Sequence, residues 1–204
     1  DLKVHQGDLI VATSGRSFWI LDDLGVLGQY KSTTKGTKLY QPEDASNGFW
    51  GSPLSGDSSK FDGSTDFVGV NPANGVVIYY ELPKLNKDDN ISLTITNSKN
   101  EVVNTYSSAK DKSYKRWDGG PPAAATLSKQ KGLNRFVWDM KHPIIPGIEN
   151  VYMEANYRGH KVSPGTYTLT LKVGKKSYTT SAVIVENPHY KTVAGQYDTY
   201  DVFM

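Results

Sequence analysis

The sequence predicts an all-β protein, an immunoglobulin-like antiparallel β-sandwich of about seven strands, preceded by a short β-meander and a long linker. Short runs rich in Val, Ile, Thr and Tyr recur between turn residues at spacings of about 8 to 12 residues. The chain has 13 Tyr in 204 residues, and aromatic and β-branched residues favour strands over helices. No strand-like run alternates with a helical segment, so a parallel βαβ architecture is not indicated.

Residues 1–24 predict a meander of three short strands, at residues 2–5, 9–13 and 17–21. The two breaks between them, Gln6-Gly7-Asp8 and Ser14-Gly15-Arg16, have the composition of hairpin turns. A meander of this size is only marginally stable in water. We therefore interpret residues 1–24 as the end of a larger structure that lies upstream.

Residues 25–65 are rich in Gly, Ser and Thr and have little periodicity. They predict a linker that wraps over a surface. The expected anchors of this linker are Leu39-Tyr40 and Phe49-Trp50.

Residues 66–190 predict the sandwich. The expected strands are residues 76–82, 91–97, 102–106, 132–140, 166–173 and 177–185. The second and third are expected to pair as a hairpin, as are the last two. Core candidates are Leu133, Phe136 and Trp138, together with the alternating face Tyr167, Leu169, Leu171 and Val173. Residues 191–204 predict the start of a helix that continues beyond the sequence.

The first strands resemble a known family. The segments that carry the resemblance are Asp1-Leu-Lys-Val-His5, Val11-Ala-Thr13, Gly15-Arg16 and Phe18-Trp-Ile-Leu-Asp-Asp23. They are similar to the last blade of secreted bacterial sortilin-like β-propellers, which are often labelled glycosyl hydrolases of the bacterial-neuraminidase-repeat type. The family pattern usually has a His where this chain has Ser14.

Later motifs extend the resemblance over the chain: Asn71-Pro-Ala-Asn-Gly75 with Ile78-Tyr-Tyr80, Asn134-Arg-Phe-Val-Trp-Asp-Met140, Val162-Ser-Pro-Gly-Thr-Tyr167, and Glu186-Asn-Pro188. They are similar to the β-sandwich domain that follows the propeller in that family. The resemblance to a blade end, the all-β rhythm and the lack of a catalytic constellation together favour a non-catalytic structural or interaction module. The resemblance also implies that the upstream propeller is the partner, in a secreted, periplasmic or envelope protein whose signal peptide lies upstream.

Two alternatives remain open: a carbohydrate-binding accessory domain of a glycosyl hydrolase, or a part of the glycoside hydrolase itself. Whether the parent protein is an enzyme stays undecided, because a fold does not determine an activity.

Composition and charge limit the partners and sites that this chain is expected to have. The chain has 23 basic and 21 acidic residues, a net charge of +2, so no nucleic-acid partner is expected. It has no Cys, which rules out disulfides and thiolate zinc sites. No apolar stretch of transmembrane length is present, so no membrane span is expected.

The sequence contains no catalytic constellation, and no catalytic residue, metal or cofactor is predicted. Asp22-Asp23 is expected to cap the following turn, and Glu43-Asp44 to bond within its own turn. Four His residues lie far apart without ligand spacing. The best calcium candidates are Asp57, Asp62 and Asp66, but their spacing fits no EF-hand loop.

Aromatic residues in predicted loops are the remaining candidates for function: Trp50, Phe61, Trp117 and Tyr152. Exposed rings of this kind stack on sugar faces in carbohydrate-binding modules. The alternative, which we favour, is that they fasten long loops to the sandwich or to the upstream propeller.

Overall fold

A computed structural model of the chain describes residues 1–15, 17–31, 36–48 and 73–204. Strands dominate this part of the chain, and only one of its strand pairs is parallel. The predicted all-β class is therefore confirmed.

The first three strands form an antiparallel meander, as predicted: β1 (Leu2–His5), β2 (Asp8–Ala12) and β3 (Phe18–Leu21). The turn between β1 and β2 consists of Gln6 and Gly7, whose φ angles are 50° and 85°. Two successive positive φ angles match the twist of the flanking strands in a tight hairpin. The turn residues recognised in the sequence therefore set the register of this hairpin.

The predicted linker contains three regular elements within its described residues: α1 (Leu24–Gln29), β4 (Lys38–Leu39) and β5 (Ala45–Ser46). These elements were not predicted, since a two-residue strand is too short to show alternation in a sequence. Tyr40, from the predicted anchor Leu39-Tyr40, is buried. Phe49-Trp50 lies outside the described residues.

Six longer strands and a helix follow: β6 (Val76–Leu82), β7 (Ile91–Thr96), β8 (Val102–Ser107), β9 (Gly132–Trp138), β10 (Gly165–Val173), β11 (Lys176–Val185) and α2 (Gln196–Phe203). One sheet has the order β5-β11-β10-β7-β8 and another the order β4-β6-β9. The predicted hairpins β7–β8 and β10–β11 are confirmed. The pairing of β5 with β11 is parallel.

These two sheets contribute to one cluster of buried side chains. Buried and half-buried residues alternate along β6 and β7, which is the pattern of a strand with one face in the core. The predicted inward face of β10 is confirmed, with Tyr167, Leu169 and Leu171 buried and Val173 packed against them. Trp138, fully buried, meets the ring of Tyr167 edge-on with 5.3 Å between centroids.

One predicted core residue of β9 is wrong. Leu133 is 56% exposed, whereas Phe136 and Trp138 are buried as predicted. Residues that share a face of a strand are two positions apart. The face with Phe136 and Trp138 therefore includes Asn134 and excludes Leu133.

Asn134 is tolerated in the core because its amide is paired on both sides. Its Oδ1 accepts hydrogen bonds from the Ser128 hydroxyl at 2.6 Å and from the Gln130 N–H at 3.1 Å. Its Nδ2 donates to the carbonyl oxygens of Gln130 and Gly132, at 2.8 and 2.9 Å. A buried polar group that is hydrogen-bonded in this way avoids the cost of desolvation. Asn134 thus organises the turn that leads into β9.

The predicted C-terminal helix is present as α2, and none of its residues is buried. The Tyr200 hydroxyl donates to the carbonyl oxygen of Lys161 at 2.9 Å. The Ser163 hydroxyl donates to the carboxylate of Asp201. Polar contacts with residues 161–163 therefore attach α2 to the rest of the chain.

Candidate functional site

The aromatic candidates for sugar stacking divide into two groups. Trp50 and Phe61 lie outside the described residues. Trp117 lies in the loop before β9 and Tyr152 in the loop after β9. The structure brings these two loops together, because the indole Nε1 of Trp117 donates to the carbonyl oxygen of Val151 at 3.1 Å.

The loop after β9 is closed by a short antiparallel stem. Its main-chain hydrogen bonds run from the N–H of Val162, His142 and Ile145 to the carbonyl oxygens of Met140, His160 and Tyr157, at 2.9, 3.0 and 2.8 Å. Gly159 lies directly against the opposite arm, since a Cβ there would sit 2.2 Å from the His142 carbonyl oxygen. The stem therefore holds residues 146–156 as a projecting tip, which is the part that contacts Trp117.

The Trp117 indole occupies space that two glycines leave open. A Cβ on Gly120 would lie 2.5 Å from Trp117 Cε2, and one on Gly147 would lie 3.2 Å from Cζ2. The first distance is shorter than any van der Waals contact permits, so the indole would have to move. Trp117 is half-buried and fastens one loop to the other. This geometry supports the interpretation of Trp117 as a loop fastener.

Tyr152 presents more of its surface to solvent. It is 64% exposed, and one edge of its ring lies against Gly119, where a Cβ would be 2.6 Å from Tyr152 Cδ2. Gly119 also has a φ of 68°, which disfavours any residue with a side chain. Of the two described candidates, Tyr152 is the more exposed, and Trp117 is half-buried.

A surface groove with a volume of about 830 Å³ runs along residues 114–123. Its larger lining side chains are Tyr114, Arg116, Trp117 and Asp118. The Tyr114 hydroxyl donates to the carbonyl oxygen of Pro121 at 3.0 Å, which closes the loop on itself. The aromatic rings can stack on a sugar. The neighbouring guanidinium and carboxylate can form hydrogen bonds with the sugar hydroxyls.

A smaller hollow of about 350 Å³ lies in the tip of the second loop. Ile145, Ile148 and Met153 line it with Tyr157, and it has no charged lining residue. The Tyr157 side chain is 8% exposed, and its buried hydroxyl has no hydrogen-bond partner among the described residues. The hydroxyl is out of reach of solvent, so the accessible wall of this hollow is mainly apolar.

Carboxylates that the sequence placed in separate turns come together where the meander meets β6. The Asp8 carboxylate accepts a hydrogen bond from the Asp23 N–H, and the Glu43 carboxylate accepts one from the Gly25 N–H, each at 3.1 Å. Asp22 belongs with them because the charges of Asp8 and Asp23 raise the pKa of its carboxyl. We call Asp8, Asp22, Asp23 and Glu43 the carboxylate junction.

Asp23 was expected to cap the turn that follows it, and this expectation is wrong. Asp23 occupies the cap position of α1 but makes no capping hydrogen bond with its side chain, and its φ of 59° is left-handed. The Tyr79 hydroxyl of β6 donates to Asp23 Oδ2 at 2.8 Å instead. The first N–H of α1, that of Leu24, donates to the Gly7 carbonyl oxygen at 2.8 Å, and the Gly25 N–H donates to Glu43. The junction thereby links the meander, α1 and β6.

Burial and mutual repulsion raise the pKa values of two carboxyls in the junction, those of Asp22 and Glu43. Burial raises the pKa of the Asp22 carboxyl, and Asp8 and Asp23 raise it further against the opposing effect of Arg135. Burial also raises the pKa of Glu43, with Asp23 and Asp8 adding to it and the Gly25 hydrogen bond opposing. Burial and the bond to Asp23 raise the pKa of Tyr79 to about 12. The ionised junction is therefore under repulsion at neutral pH.

The described residues contain no group of three or more His, Asp or Glu that could hold a metal ion. The calcium candidates Asp57, Asp62 and Asp66 lie outside those residues. The carboxylates of the junction that make hydrogen bonds are bound to main-chain N–H groups or to Tyr79, which makes the junction a connection between elements.

One side of the meander is entirely apolar, whereas the other mixes Ile10, Phe18 and Ile20 with Lys3 and Asp8. The register places Leu2 opposite Val11 and Val11 opposite Trp19, and likewise aligns Val4, Leu9 and Leu21. Side chains of directly opposed residues lie on the same side of a sheet. Leu2, Val4 and Leu21 are exposed. We call these six residues the meander face.

Comparison with protein-family models, with curated proteins and with solved structures found no match. Within the described residues, neither helix has the length and apolar composition needed to cross a membrane.

Proposed function

We propose that this chain is a non-catalytic structural and interaction module of a larger secreted, periplasmic or envelope-associated bacterial protein. In this proposal residues 1–24 end a β-propeller blade, and residues 66–190 form an immunoglobulin-like sandwich. The observation that carries the proposal is the meander face, six apolar side chains on one side of a three-stranded sheet.

The meander face supports a covering partner on energetic grounds. Burying an exposed aliphatic side chain contributes about 1.5 to 3 kcal/mol, and Leu2, Val4 and Leu21 are all exposed. Three strands with a hydrophobic face are about the smallest sheet that is stable independently, and covering that face on a neighbour adds the free energy of its burial. A preceding sheet of the same polypeptide is the partner that the resemblance of residues 1–23 to a blade end implies.

The second half of the chain supports the sandwich part of the proposal. Two sheets whose inward side chains share one buried cluster have the general organisation of packed β-layers. The hairpins β7–β8 and β10–β11 are joined by pairing of β7 with β10, so strands distant in sequence become neighbours. The carboxylate junction connects the meander to this part through Tyr79.

Hydroxyl-radical footprinting tests the proposal. Labelling of Leu2, Val4 and Leu21 is compared between the 204-residue chain and the longer parent polypeptide that includes the upstream region. We expect at least fivefold protection of these residues in the longer polypeptide. Val102 and Leu133, exposed apolar residues elsewhere, serve as controls and should label equally in both. Equal labelling of the meander face in the two proteins would overturn the proposal.

A second candidate function, carbohydrate binding, is favoured by the groove along residues 114–123 with Tyr152 beside it. The test is retention on an immobilised polysaccharide gel, with wild type compared to Tyr152→Ala and to Arg116→Ala. If sugars bind here, each change should weaken retention at least fivefold. Tyr190→Ala, which removes another exposed tyrosine, should leave retention unchanged. Retention that survives both changes in the groove would remove this candidate.

A further inference from the structure

The tip of the loop after β9 exposes an apolar surface. Ile148 and Tyr152 are 65% and 64% exposed, and Met153 and Val151 are 44% and 42% exposed. Ile145, at the base of the tip, is 52% exposed. These side chains together present on the order of 400 Å² of apolar surface, a size at which a patch on a monomer is often functional. The tip is therefore a surface on which a partner can bury apolar area.

Hydrogen bonds hold this tip in shape. Besides the stem at its base, the Trp117 indole donates to the Val151 carbonyl oxygen at 3.1 Å. Within the tip, the Val151 N–H donates to the Ile148 carbonyl oxygen at 3.1 Å, and the Ala155 N–H donates to that of Met153 at 2.9 Å. A surface that is already ordered loses little conformational entropy when it binds. The exposed apolar side chains are thus presented on a preorganised support.

The tip contains both an apolar hollow and an exposed aromatic side chain outside it. The hollow has a volume of about 350 Å³ and no charged lining residue, and Ile145, Ile148, Met153 and Tyr157 are among the residues that line it. Tyr152 lies outside this lining, and its ring is mostly exposed. An exposed tyrosine and an apolar pocket that it can fill are the two halves of a common interface hot spot. One chain therefore supplies both halves.

The two interlocked loops carry charges of opposite sign. Residues 110–118, in the loop before β9, contain four basic and two acidic residues, whereas the tip contains two acidic residues and no basic one. One pair already meets within the chain, since Lys115 Nζ lies 3.3 Å from Glu149 Oε1. Arg116 and Glu154 have no ion-pair partner among the described residues. The basic loop and the acidic tip are therefore electrostatically complementary.

A twofold contact between two copies uses both kinds of complementarity. In such a dimer the same patch faces itself, so a residue of one copy meets its counterpart's neighbour in the other, and the reverse contact repeats. We propose that the tip is a dimer contact, in which Tyr152 of each copy enters the hollow of the other and each basic loop faces the other copy's acidic tip. The apolar patch with its charged rims supplies about 500 Å² per copy, which reaches the total of about 1,000 Å² that a specific interface needs.

Sedimentation equilibrium of the 204-residue chain tests the dimer. Because the interface is small, we expect weak association, with the mass rising from 22.5 kDa toward twice that value as the concentration approaches about 500 μM. Ile148→Asp and Tyr152→Ala should each weaken association at least fivefold. Val193→Asp, at another exposed apolar loop position, should leave it unchanged. A wild-type chain that stays monomeric at every concentration would overturn the proposal.

The meander face is another exposed apolar surface, and Leu21→Asp separates it from the tip. The tip contact predicts that association survives Leu21→Asp and is lost in Ile148→Asp. The reverse result, loss in Leu21→Asp with retention in Ile148→Asp, would assign the dimer to the meander face and overturn the proposal.

Charge reversal tests the arrangement of the two copies without altering the apolar side chains. Arg116→Glu and Glu154→Lys, both at exposed positions, each reduce the opposite charge across the contact and should weaken association at least threefold. In an equimolar mixture of the two variants, opposite charges face each other again between unlike copies. The mixture should therefore associate at least threefold more tightly than either variant alone. A mixture that associates no better than its components would contradict the proposed contact.

Discussion

The indole N–H of Trp117 donates a hydrogen bond to the carbonyl oxygen of Val151 at 3.1 Å, across two loops that flank strand β9. This contact requires the two loops to approach closely, and glycine supplies the room. The Trp-Asp-Gly-Gly-Pro-Pro run in the first loop therefore has a structural explanation that is independent of any ligand. The same contact places Tyr152 beside the groove of the first loop.

Gly120→Ala should destabilise the protein by about 1 to 3 kcal/mol, the usual cost of overpacking a filled site. The new Cβ would meet the Trp117 ring at 2.5 Å, and moving the indole would break its bond to Val151. Urea unfolding measures the change. Gly28→Ala in α1 is the matched control, since nothing lies within 4 Å of its Cβ position. It should be neutral or stabilise by up to about 1 kcal/mol. Equal effects at both sites would refute this account.

Asn134→Asp should destabilise the protein by about 1 to 3 kcal/mol at pH 7. The carboxylate would have no proton to donate to the carbonyl oxygens of Gln130 and Gly132, which now accept from Nδ2. Protonation restores a donor, so the deficit relative to wild type should shrink as the pH falls toward 4. Urea unfolding at the two pH values checks this, with Asn90→Asp at an exposed position as control. A deficit independent of pH would contradict the hydrogen-bond explanation.

Tyr79→Phe should loosen the meander. The change removes the hydroxyl that donates to Asp23 at 2.8 Å, a bond to a charged group of the kind that contributes about 1.5 to 3 kcal/mol. Hydrogen exchange should accelerate in β1, β2 and β3 and remain unchanged in β10. Tyr190→Phe, at an exposed position, should alter neither. Uniform acceleration throughout the chain would indicate that Tyr79 acts on the whole fold and not on the junction.

Glu43→Gln should raise the thermal unfolding midpoint at pH 7. The folded protein raises the pKa of Glu43, so the stability from this group is largest in acid and is lost as the pH rises through the folded pKa. Gln keeps an acceptor for the Gly25 N–H and removes the repelled charge. The advantage over wild type should therefore vanish near pH 4. Asp44→Asn, at the exposed neighbouring position, should give a smaller change; an equal gain from both would assign the effect to net charge alone.

The sequence predicted the long strands well because each carries its own signal. β10 alternates between apolar and other residues over nine positions, β6 is a run of seven residues of which six are apolar or aromatic, and their turns contain Gly or Asn. The two-residue strands β4 and β5 escaped detection because they form through pairing with β6 and β11. Leu133 was misplaced because apolar character alone does not show which face a residue occupies.

The candidate sites were less predictable. Trp117 and Tyr152 were recognised as loop aromatics, but nothing local indicated that the two loops interlock. The carboxylate junction joins residues from the first hairpin, the start of α1 and residue 43, and His142 meets His160 only because the stem closes. The spacing of residues in the sequence does not indicate such contacts, because they depend on how separate elements pack.

By itself, the sequence determined the all-β class, the positions of the long strands, the turn at Gln6-Gly7 and most of the inward side chains. These follow from periodicity and turn chemistry, which act over a few neighbouring residues. Only the tertiary structure decided the order of strands in the sheets, the burial of Asn134, the gathering of four carboxylates and the stacking of His142 on His160. Those features arise when residues distant in the chain are brought into contact, and the free energy that brings them there comes from the shared core.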